Sequence, residues 1–271
     1  MRFTLITATY NSEATLERCI SSVSTQHHPD LEHLVVDGGS NDATMQILMQ
    51  YQKRGSIQLV CSEPDEGVYD AFNKAIERIT GDWVLFLGSD DWLAGPKALS
   101  DAAGEINTLQ ATNPKNNWYF MAANSVSPKG KQVGISPQSS AWLQPDHWTH
   151  RWRGSLPLPP HPSLMHAAEV FRLGARFDSS YQICADQKLL WLHQCPNRVA
   201  WIPVNLTVHN PGGLSQSNAH ALLHHRERCR LLREIGRVRP VWIERAIEMK
   251  ARICQLIARI IHYSQGSDKT L

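Results

Sequence analysis

Short apolar runs of β-prone residues alternate with amphipathic helical patterns over about the first 90 residues, and this alternation constrains the fold most strongly. The apolar runs cover residues 3–9, 34–36, 57–61 and 83–87. Strands that are separated by helices pair in parallel, because the helix must carry the chain back across the sheet. The sequence therefore predicts an α/β fold with a doubly wound, mostly parallel sheet and flanking helices.

Polar loops follow these runs, and they carry carboxylates. The five acids are Asp37, Glu63, Asp65, Asp90 and Asp91. In an open parallel sheet the ligand crevice lies outside the carboxyl ends of the strands. We therefore expect the five acids to line one cleft.

Asp90 and Asp91 form the strongest local signal for a metal. Mg²⁺ and related hard cations bind one or two carboxylates together with substrate phosphates. The pair predicts an Mg²⁺ or Mn²⁺ site, although adjacent acids also form turns and cap helices. His209 is a candidate third ligand, with a structural role as the alternative.

Several function classes lack their signatures in this chain. No Gly-x-Gly-x-x-Gly follows the first run, and no Walker-type Gly-Lys-Ser/Thr or Gly-x-Ser-x-Gly motif is found. No apolar run approaches the roughly 18 residues of a membrane span. The six cysteines are scattered and the first residues do not resemble a signal peptide, so we expect reduced thiols in a cytoplasmic protein.

Charge divides the chain unevenly. Residues 1–218 carry a net −4 and residues 219–262 a net +6. The latter include a predicted helix with isoleucines on one face and Arg245, Arg252 and Arg259 on another. A basic amphipathic helix favours an anionic membrane surface, and packing on the core or on a second copy is the alternative.

Four segments in order resemble glycosyltransferase family 2, which has the GT-A fold. They are TATYNSEATLERCISSV, LVVDGGSNDAT, SEPDEGVYDAFNKAI and GDWVLFLGSDDWL. The later segments HPSLMH, FDSSYQICADQKLLW and NPGGLS resemble acceptor-side elements of bacterial members that build surface polysaccharides. The expected organisation is a GT-A domain over residues 1–218, with a nucleotide-sugar half at about 1–112 and an acceptor half at about 113–218. A basic helical tail would cover 219–271.

The resemblance implies a role for individual residues. Asp186 matches the catalytic base of inverting members, and Asp91 with Asp90 occupies the metal-binding region. The donor nucleotide would contact Thr9, Asn11, Asp37, Glu63, Asp65, Lys74 and Asp90. Acceptor or donor loops would contribute His161, Gly212, Gly213 and Ser215.

The expected reaction transfers a sugar, with inversion, from a nucleotide-diphosphate sugar to a hydroxyl of a saccharide or lipid-linked saccharide. We expect no nucleic-acid partner; a homo-oligomer and a location on the inner face of the cell membrane stay open. Gly88 and Ala185 depart from the family pattern, because relatives carry acids at both positions. A non-catalytic nucleotide-sugar-binding protein is therefore one alternative. A sugar nucleotidyltransferase, which shares a Rossmann-like core, is the other, although this chain lacks the glycine-rich, Lys/Arg-containing loop that normally follows the first strand in that class.

Overall fold

A computed structural model of the chain describes residues 1–126, 132–136, 156, 158–159, 161–210, 218–237 and 240–266. The chain divides into two compact units. The first comprises residues 1–144 and 157–210, and the second comprises residues 145–156 and 211–271.

The first unit contains the sheet. Its strands are β1 (Phe3–Thr9), β2 (Leu31–Asp37), β3 (Gln58–Ser62), β4 (Trp83–Phe86), β5 (Trp92–Leu93), β6 (Trp118–Val126), β7 (Gln132–Ser136), β8 (Leu164–Ala167) and β9 (Val199–His209). Its helices are α1 (Leu16–Ser24), α2 (Thr44–Lys53), α3 (Val68–Ile76), α4 (Ala98–Thr112), α5 (Ala168–Arg172) and α6 (Ala185–Leu192).

The strands lie in the order β3-β2-β1-β4-β8-β6-β9-β5, and β7 pairs with β6. The first four strands in this order are parallel, as the alternating pattern predicts. In register, Thr9 lies opposite Asp37, and Asp37 lies opposite Ser62. The three side chains therefore stand in a row at the carboxyl ends of β1, β2 and β3. This row is the floor of the candidate site.

Two short strands are not evident in the sequence pattern. β8 inserts antiparallel between β4 and β6, and β5 pairs antiparallel with β9. Each has only two to four residues, too few to establish a periodicity of its own. Helix α4 was also not predicted. Helix α1 begins at Leu16, and the Ser12 carbonyl accepts hydrogen bonds from the backbone N–H groups of Thr15 and Leu16.

Packing explains why β1 and β4 are apolar runs without alternation. Helices cover both faces of a parallel sheet, so its central strands are buried on both sides. Phe3, Leu5 and Leu85 pack with Cys19 of α1 in one cluster. On the other face, Phe86 contacts an aromatic cluster that holds His161. Burial of this core fixes the strand ends from which the site is built.

The second unit contains helix α7 (Ala221–Glu234) and helix α8 (Val241–Gly266), which pack on each other. Among the described residues, no helix has the length and apolar character to cross a membrane. Of the six cysteines, all are free thiols, and Cys19, Cys184, Cys195 and Cys229 are buried.

Candidate active site

The loops after β1, β2, β3 and β4 are joined to one another by hydrogen bonds. Asn11 N donates to Ser40 Oγ at 2.8 Å, and Asn41 N donates to Asn11 Oδ1 at 2.9 Å. Ser12 Oγ lies 2.9 Å from Ser89 Oγ, which ties the first loop to the fourth. Glu63 N donates to the Asp37 carbonyl at 3.0 Å, which ties the third loop to the second. The loops that carry the five acids are thus held together.

Thr9 and Asn11 close the β1 side of this loop cluster. Asn11 adopts a positive φ of 48°, a conformation in which asparagine is enriched. The Thr9 hydroxyl is buried and has no hydrogen-bond partner among the described residues. A buried hydroxyl without a partner is costly, so a ligand that bonds to it gains free energy.

Asp37 is fully buried and organises the β2 loop. Its Oδ2 accepts hydrogen bonds from the backbone N–H groups of Gly39 and Ser40 and from Ser62 Oγ, at 2.7–3.1 Å. Its Oδ1 accepts from Ser40 Oγ at 2.5 Å. Asp37 therefore fixes the loop that forms the wall of the site, in addition to any contact with a nucleotide.

Asp65 leans against the same loop. A Cβ on Gly38 would lie 2.7 Å from Asp65 Oδ2, so the absence of a side chain at Gly38 makes room for this carboxylate. Asp65 Oδ1 accepts a hydrogen bond from Gly67 N, and burial raises the pKa of Asp65. Asp65 is therefore a partly desolvated acid at the wall of the cleft.

Lys74 lies in the last turn of α3 and pairs with two acids. Its Nζ lies 2.9 Å from Glu63 Oε1 and 3.3 Å from Asp70 Oδ2. These hydrogen bonds raise the pKa of Lys74. The structure thus brings together Glu63 and Lys74, both expected at the donor site, as an ion pair.

Asp90 and Asp91 fold back over Gly88. A Cβ on Gly88 would lie 2.9 Å from Asp90 Oδ1 and 3.0 Å from Asp91 Oδ2. Both carboxylates therefore face one point, and glycine at this position leaves that space open. Burial, followed by the charge of Asp91, raises the pKa of Asp90.

Asp91 is also linked to the end of β9. Its Oδ1 accepts a hydrogen bond from Asn210 N at 2.9 Å and lies 2.8 Å from His209 Nδ1. The bond to Asp91 raises the pKa of His209, although burial opposes the shift. On the other side, the Arg18 guanidinium donates to the Asp90 carbonyl and lies over the Trp92 ring at 3.7 Å. The acid pair is thus held in place by contacts with the end of β9 on one side and with Arg18 on the other.

The donor set of this acid pair fits a divalent cation. Two carboxylates face one point and raise the local negative charge, which a cation would neutralise. Within the described residues no three His, Cys, Asp or Glu side chains already form a metal cage. The remaining ligands of such a cation would be waters and substrate phosphates, the usual pattern for Mg²⁺.

Asp186 lies at the start of α6, beside α3. The single hydroxyl hydrogen of Tyr69 is shared between two acceptors, the Ile183 carbonyl at 2.7 Å from Tyr69 Oη and Asp186 Oδ1 at 3.2 Å. Burial and the charge of Asp186 together raise the pKa of Tyr69 well above its ordinary value. The phenol therefore stays a donor and orients the carboxylate.

His161 packs against Phe86 at the end of β4 and interacts electrostatically with Asp186. Its ring stacks on Phe86 at 5.4 Å, and its Nε2 is buried without a partner among the described residues. Burial lowers the pKa of His161, while the charge of Asp186 raises it by less. His161 is thus a neutral ring within electrostatic reach of Asp186.

Sequence reasoning missed several members of this arrangement. Tyr69 and Arg18 lie within the family-like segments, but those segments do not indicate their partners, Asp186 and Asp90, which are far along the chain. The close approach of Asp65 to Gly38 likewise has no local signature. The three loop residues Gly212, Gly213 and Ser215 lie outside the described residues, so their expected role stays a prediction.

Known proteins that are similar to this chain include several glycosyltransferases. Residues 4–124 match the family model described as Glycosyl transferase family 2. A PGL/p-HBAD biosynthesis glycosyltransferase of Mycobacterium bovis is 38% identical over 105 residues, 38% of this chain and 41% of that protein. The putative teichuronic acid biosynthesis glycosyltransferase TuaG of Bacillus subtilis is 43% identical over 88 residues, 32% of this chain and 35% of that protein. The chain thus matches about two fifths or less of the length of these relatives.

Solved structures share the architecture. S. aureus TarS in complex with UDP-GlcNAc has a TM-score of 0.64 at 17% identity, over 93% of this chain and 71% of that one. The mannosyltransferase PcManGT of Pyrobaculum calidifontis, in complex with GDP-Man and Mn²⁺, has a TM-score of 0.61 at 17% identity, over 100% of this chain and 76% of that one. The sheet and its flanking helices therefore form a GT-A fold, and residues 4–124 of the chain are similar to glycosyltransferase family 2.

Proposed function

We propose that this chain is an inverting glycosyltransferase that moves a sugar from a nucleotide-diphosphate sugar to an acceptor hydroxyl in cell-surface polysaccharide synthesis. The observation that carries the proposal is the hydrogen-bonded cluster of four loops, which holds Asp65, Asp90 and Asp91 at the carboxyl ends of the parallel strands. Ligands bind at this edge in open α/β sheets.

The donor nucleotide would lie against the row formed by Thr9, Asp37 and Ser62, beside the Asp65 carboxylate. The Thr9 hydroxyl is a free buried hydrogen-bonding group there, and Asp65 is a desolvated acceptor. Similar solved structures hold UDP-GlcNAc and GDP-Man, which supports a nucleotide-sugar donor.

Asp91 and Asp90 would hold a divalent cation, Mg²⁺ or Mn²⁺. When bound, such a cation stabilises the negative charge of the departing nucleoside diphosphate. The pairing of Asp91 with His209 and Asn210 fixes the orientation of this carboxylate before the donor arrives.

Asp186 would act as the general base. Its carboxylate, oriented by Tyr69, accepts the proton of the acceptor hydroxyl while that oxygen forms a bond to the anomeric carbon. The bond from the anomeric carbon to the diphosphate oxygen breaks at the same time, and the nucleoside diphosphate leaves with the electron pair. Attack opposite the leaving group inverts the anomeric centre.

We further propose that the enzyme works on the inner face of the cell membrane, where a lipid-linked saccharide would serve as acceptor. The basic charge of residues 219–262 supports this location.

The first test is a thermal-shift screen of the full chain with UDP-, GDP- and dTDP-sugars, with and without Mn²⁺, followed by an assay for nucleoside diphosphate release. A ligand that binds the native state raises its apparent stability by mass action, by about 2.7 kcal/mol at 100 times Kd. We expect one donor class to stabilise the protein and to be turned over with a saccharide acceptor. Stabilisation without release at any acceptor would instead indicate a binding protein.

The second test is Asp91→Asn. The amide oxygen can still accept the bond from Asn210 N, so the fold should survive while the charge that holds a cation is lost. We expect a large loss of turnover, equivalent to several kcal/mol of transition-state stabilisation. Asp101→Asn, at an exposed carboxylate on α4, is the control. Wild-type turnover with unchanged Mn²⁺ dependence would remove Asp91 from the site.

A further inference from the structure

Helix α8 has an apolar face that nothing covers in the described residues. Its packed face includes Ala251, which is only 6% exposed, and the half-buried Cys254. A second set of large apolar side chains remains strongly exposed, at 47–69%. These are Trp242, Met249, Ile253, Leu256 and Ile257. We call this set the α8 stripe.

The α8 stripe is continuous along the helix. Trp242, Met249 and Leu256 are seven residues apart, and Ile253 falls between them at helical spacing. With 3.6 residues per turn these positions share one side of the helix, over a length of about 22 Å. Scattered exposed apolar residues are normal, but a contiguous row of this kind marks an interaction surface.

Charge identifies the partner. On the helical wheel, Arg245 and Arg252 border one edge of the α8 stripe and Lys250 borders the other, and all three are exposed. Glu248 pairs with Arg252 at 2.7 Å and lies on the side of Arg252 away from the stripe. A second copy of the helix would place cations against cations at both edges. An anionic surface would be attracted to both edges.

We infer that the α8 stripe and its flanking cations Arg245, Lys250 and Arg252 lie in the interface of an anionic lipid membrane. The helix would lie in the plane of the membrane, with its apolar side chains below the headgroups and its cations among the phosphates. Trp242 suits this depth, because indole rings favour the membrane–water boundary. The inference rests on the proposed membrane location and adds the surface that produces it.

The experiment is sedimentation of the full chain with vesicles of phosphatidylglycerol and phosphatidylcholine, compared with pure phosphatidylcholine. We expect binding to the anionic vesicles that weakens in high salt. The double variant Met249→Gln/Leu256→Gln should lower the vesicle affinity at least tenfold. The triple variant Arg245→Gln/Lys250→Gln/Arg252→Gln should lower the vesicle affinity by about fivefold for each positive charge removed.

The matched control is Leu173→Gln/Leu192→Gln, which changes two leucines in the first unit that are exposed at least as much as Leu256. This control should bind vesicles like the wild type. Full binding by the stripe variant, or no binding of the wild type to anionic vesicles at low salt, would overturn the inference. So would a wild-type dimer that the stripe variant converts to monomer without any vesicle binding.

Turnover with a soluble acceptor separates this inference from the proposed function. The stripe variant should retain wild-type turnover, because the α8 stripe contains none of the residues assigned to the site. Vesicle binding by a chain that releases no nucleoside diphosphate would support the membrane surface and contradict the transferase.

Discussion

Carboxylates at the two ends of the parallel strands differ in how far hydrogen bonds within the chain satisfy them. At the amino ends, Glu32 accepts hydrogen bonds from Thr4 Oγ1, from the N–H and hydroxyl of Thr80, from Gly81 N and from Arg2 Nη2. At the carboxyl ends, burial raises the pKa values of Asp65 and Asp90. An acid whose bonds are satisfied within the chain stabilises the fold, while a desolvated acid with few internal donors can bind a ligand.

A carboxylate at the carboxyl ends of the strands is not necessarily available to a ligand, as Asp37 shows. It stands at the carboxyl ends, yet four hydrogen bonds from its own loop and from Ser62 satisfy it. It resembles Glu32 in its bonding and Asp65 in its location. The role of a carboxylate at either end therefore depends on how many internal hydrogen-bond donors it has. The following substitutions test this dependence.

Asp186→Asn should have the largest effect. The amide retains the hydrogen bond from Tyr69 but cannot accept the acceptor's proton, so turnover should fall by about 10²–10⁴-fold. Donor affinity, measured by titration with the donor identified in the thermal-shift screen, should stay near the wild-type value. A parallel loss of donor affinity and thermal stability would show instead that Asp186 acts through the fold.

Glu32→Gln should affect stability and spare the site. The substitution removes a charged acceptor and turns one of its oxygens into a donor that faces other donors. We expect the free energy of unfolding in urea to fall by about 1–3 kcal/mol, with donor affinity unchanged. Glu105→Gln, on the exposed side of α4, is the control. Reduced donor affinity in Glu32→Gln would erase the contrast between the two ends.

The lowered pKa of Glu32 predicts that the free energy of unfolding depends on pH. Burial alone would raise the pKa of Glu32, but hydrogen bonds from Thr4 and Thr80 outweigh it and lower the pKa from its ordinary 4.5. A lowered folded-state pKa means that the stabilisation is present above pH 4.5 and is lost as pH falls through the folded value.

The measurement is the difference in free energy of unfolding between wild type and Glu32→Gln across this range. The difference should be constant near neutral pH and shrink in acid. A difference that grows in acid would mean that the buried carboxylate is held in its protonated form.

The parallel half of the sheet and the cluster of acids could be predicted from sequence, because both depend on patterns within about 20 residues. Strand β8 could not, because four residues gain their strand conformation only by pairing with β4 and β6. The link between Tyr69 and Asp186 joins positions 117 residues apart. No local pattern indicates a contact over such a distance. The family resemblance predicts a role for Asp186 but does not indicate its partner.

A pair of glycines offers the subtlest test of the comparison. A Cβ on Gly81, at the amino end, would lie 2.8 Å from the backbone nitrogen of Thr4, which cannot move without disturbing β1. A Cβ on Gly38, at the carboxyl end, would have as its three nearest atoms those of the Asp65 carboxyl group, and that side chain can rotate away. The same methyl group should therefore destabilise the fold at one end and displace a ligand-facing acid at the other.

We expect Gly81→Ala to lower the free energy of unfolding by about 1–3 kcal/mol without changing donor affinity. Gly38→Ala should leave stability nearly intact and weaken donor binding by up to tenfold, about 1.4 kcal/mol. Gly104→Ala, which meets no atom within 4 Å, controls for the added methyl group. Donor affinity that is unchanged in Gly38→Ala, or lost equally in Gly81→Ala, would mean that the loop facing Asp65 does not form the donor site.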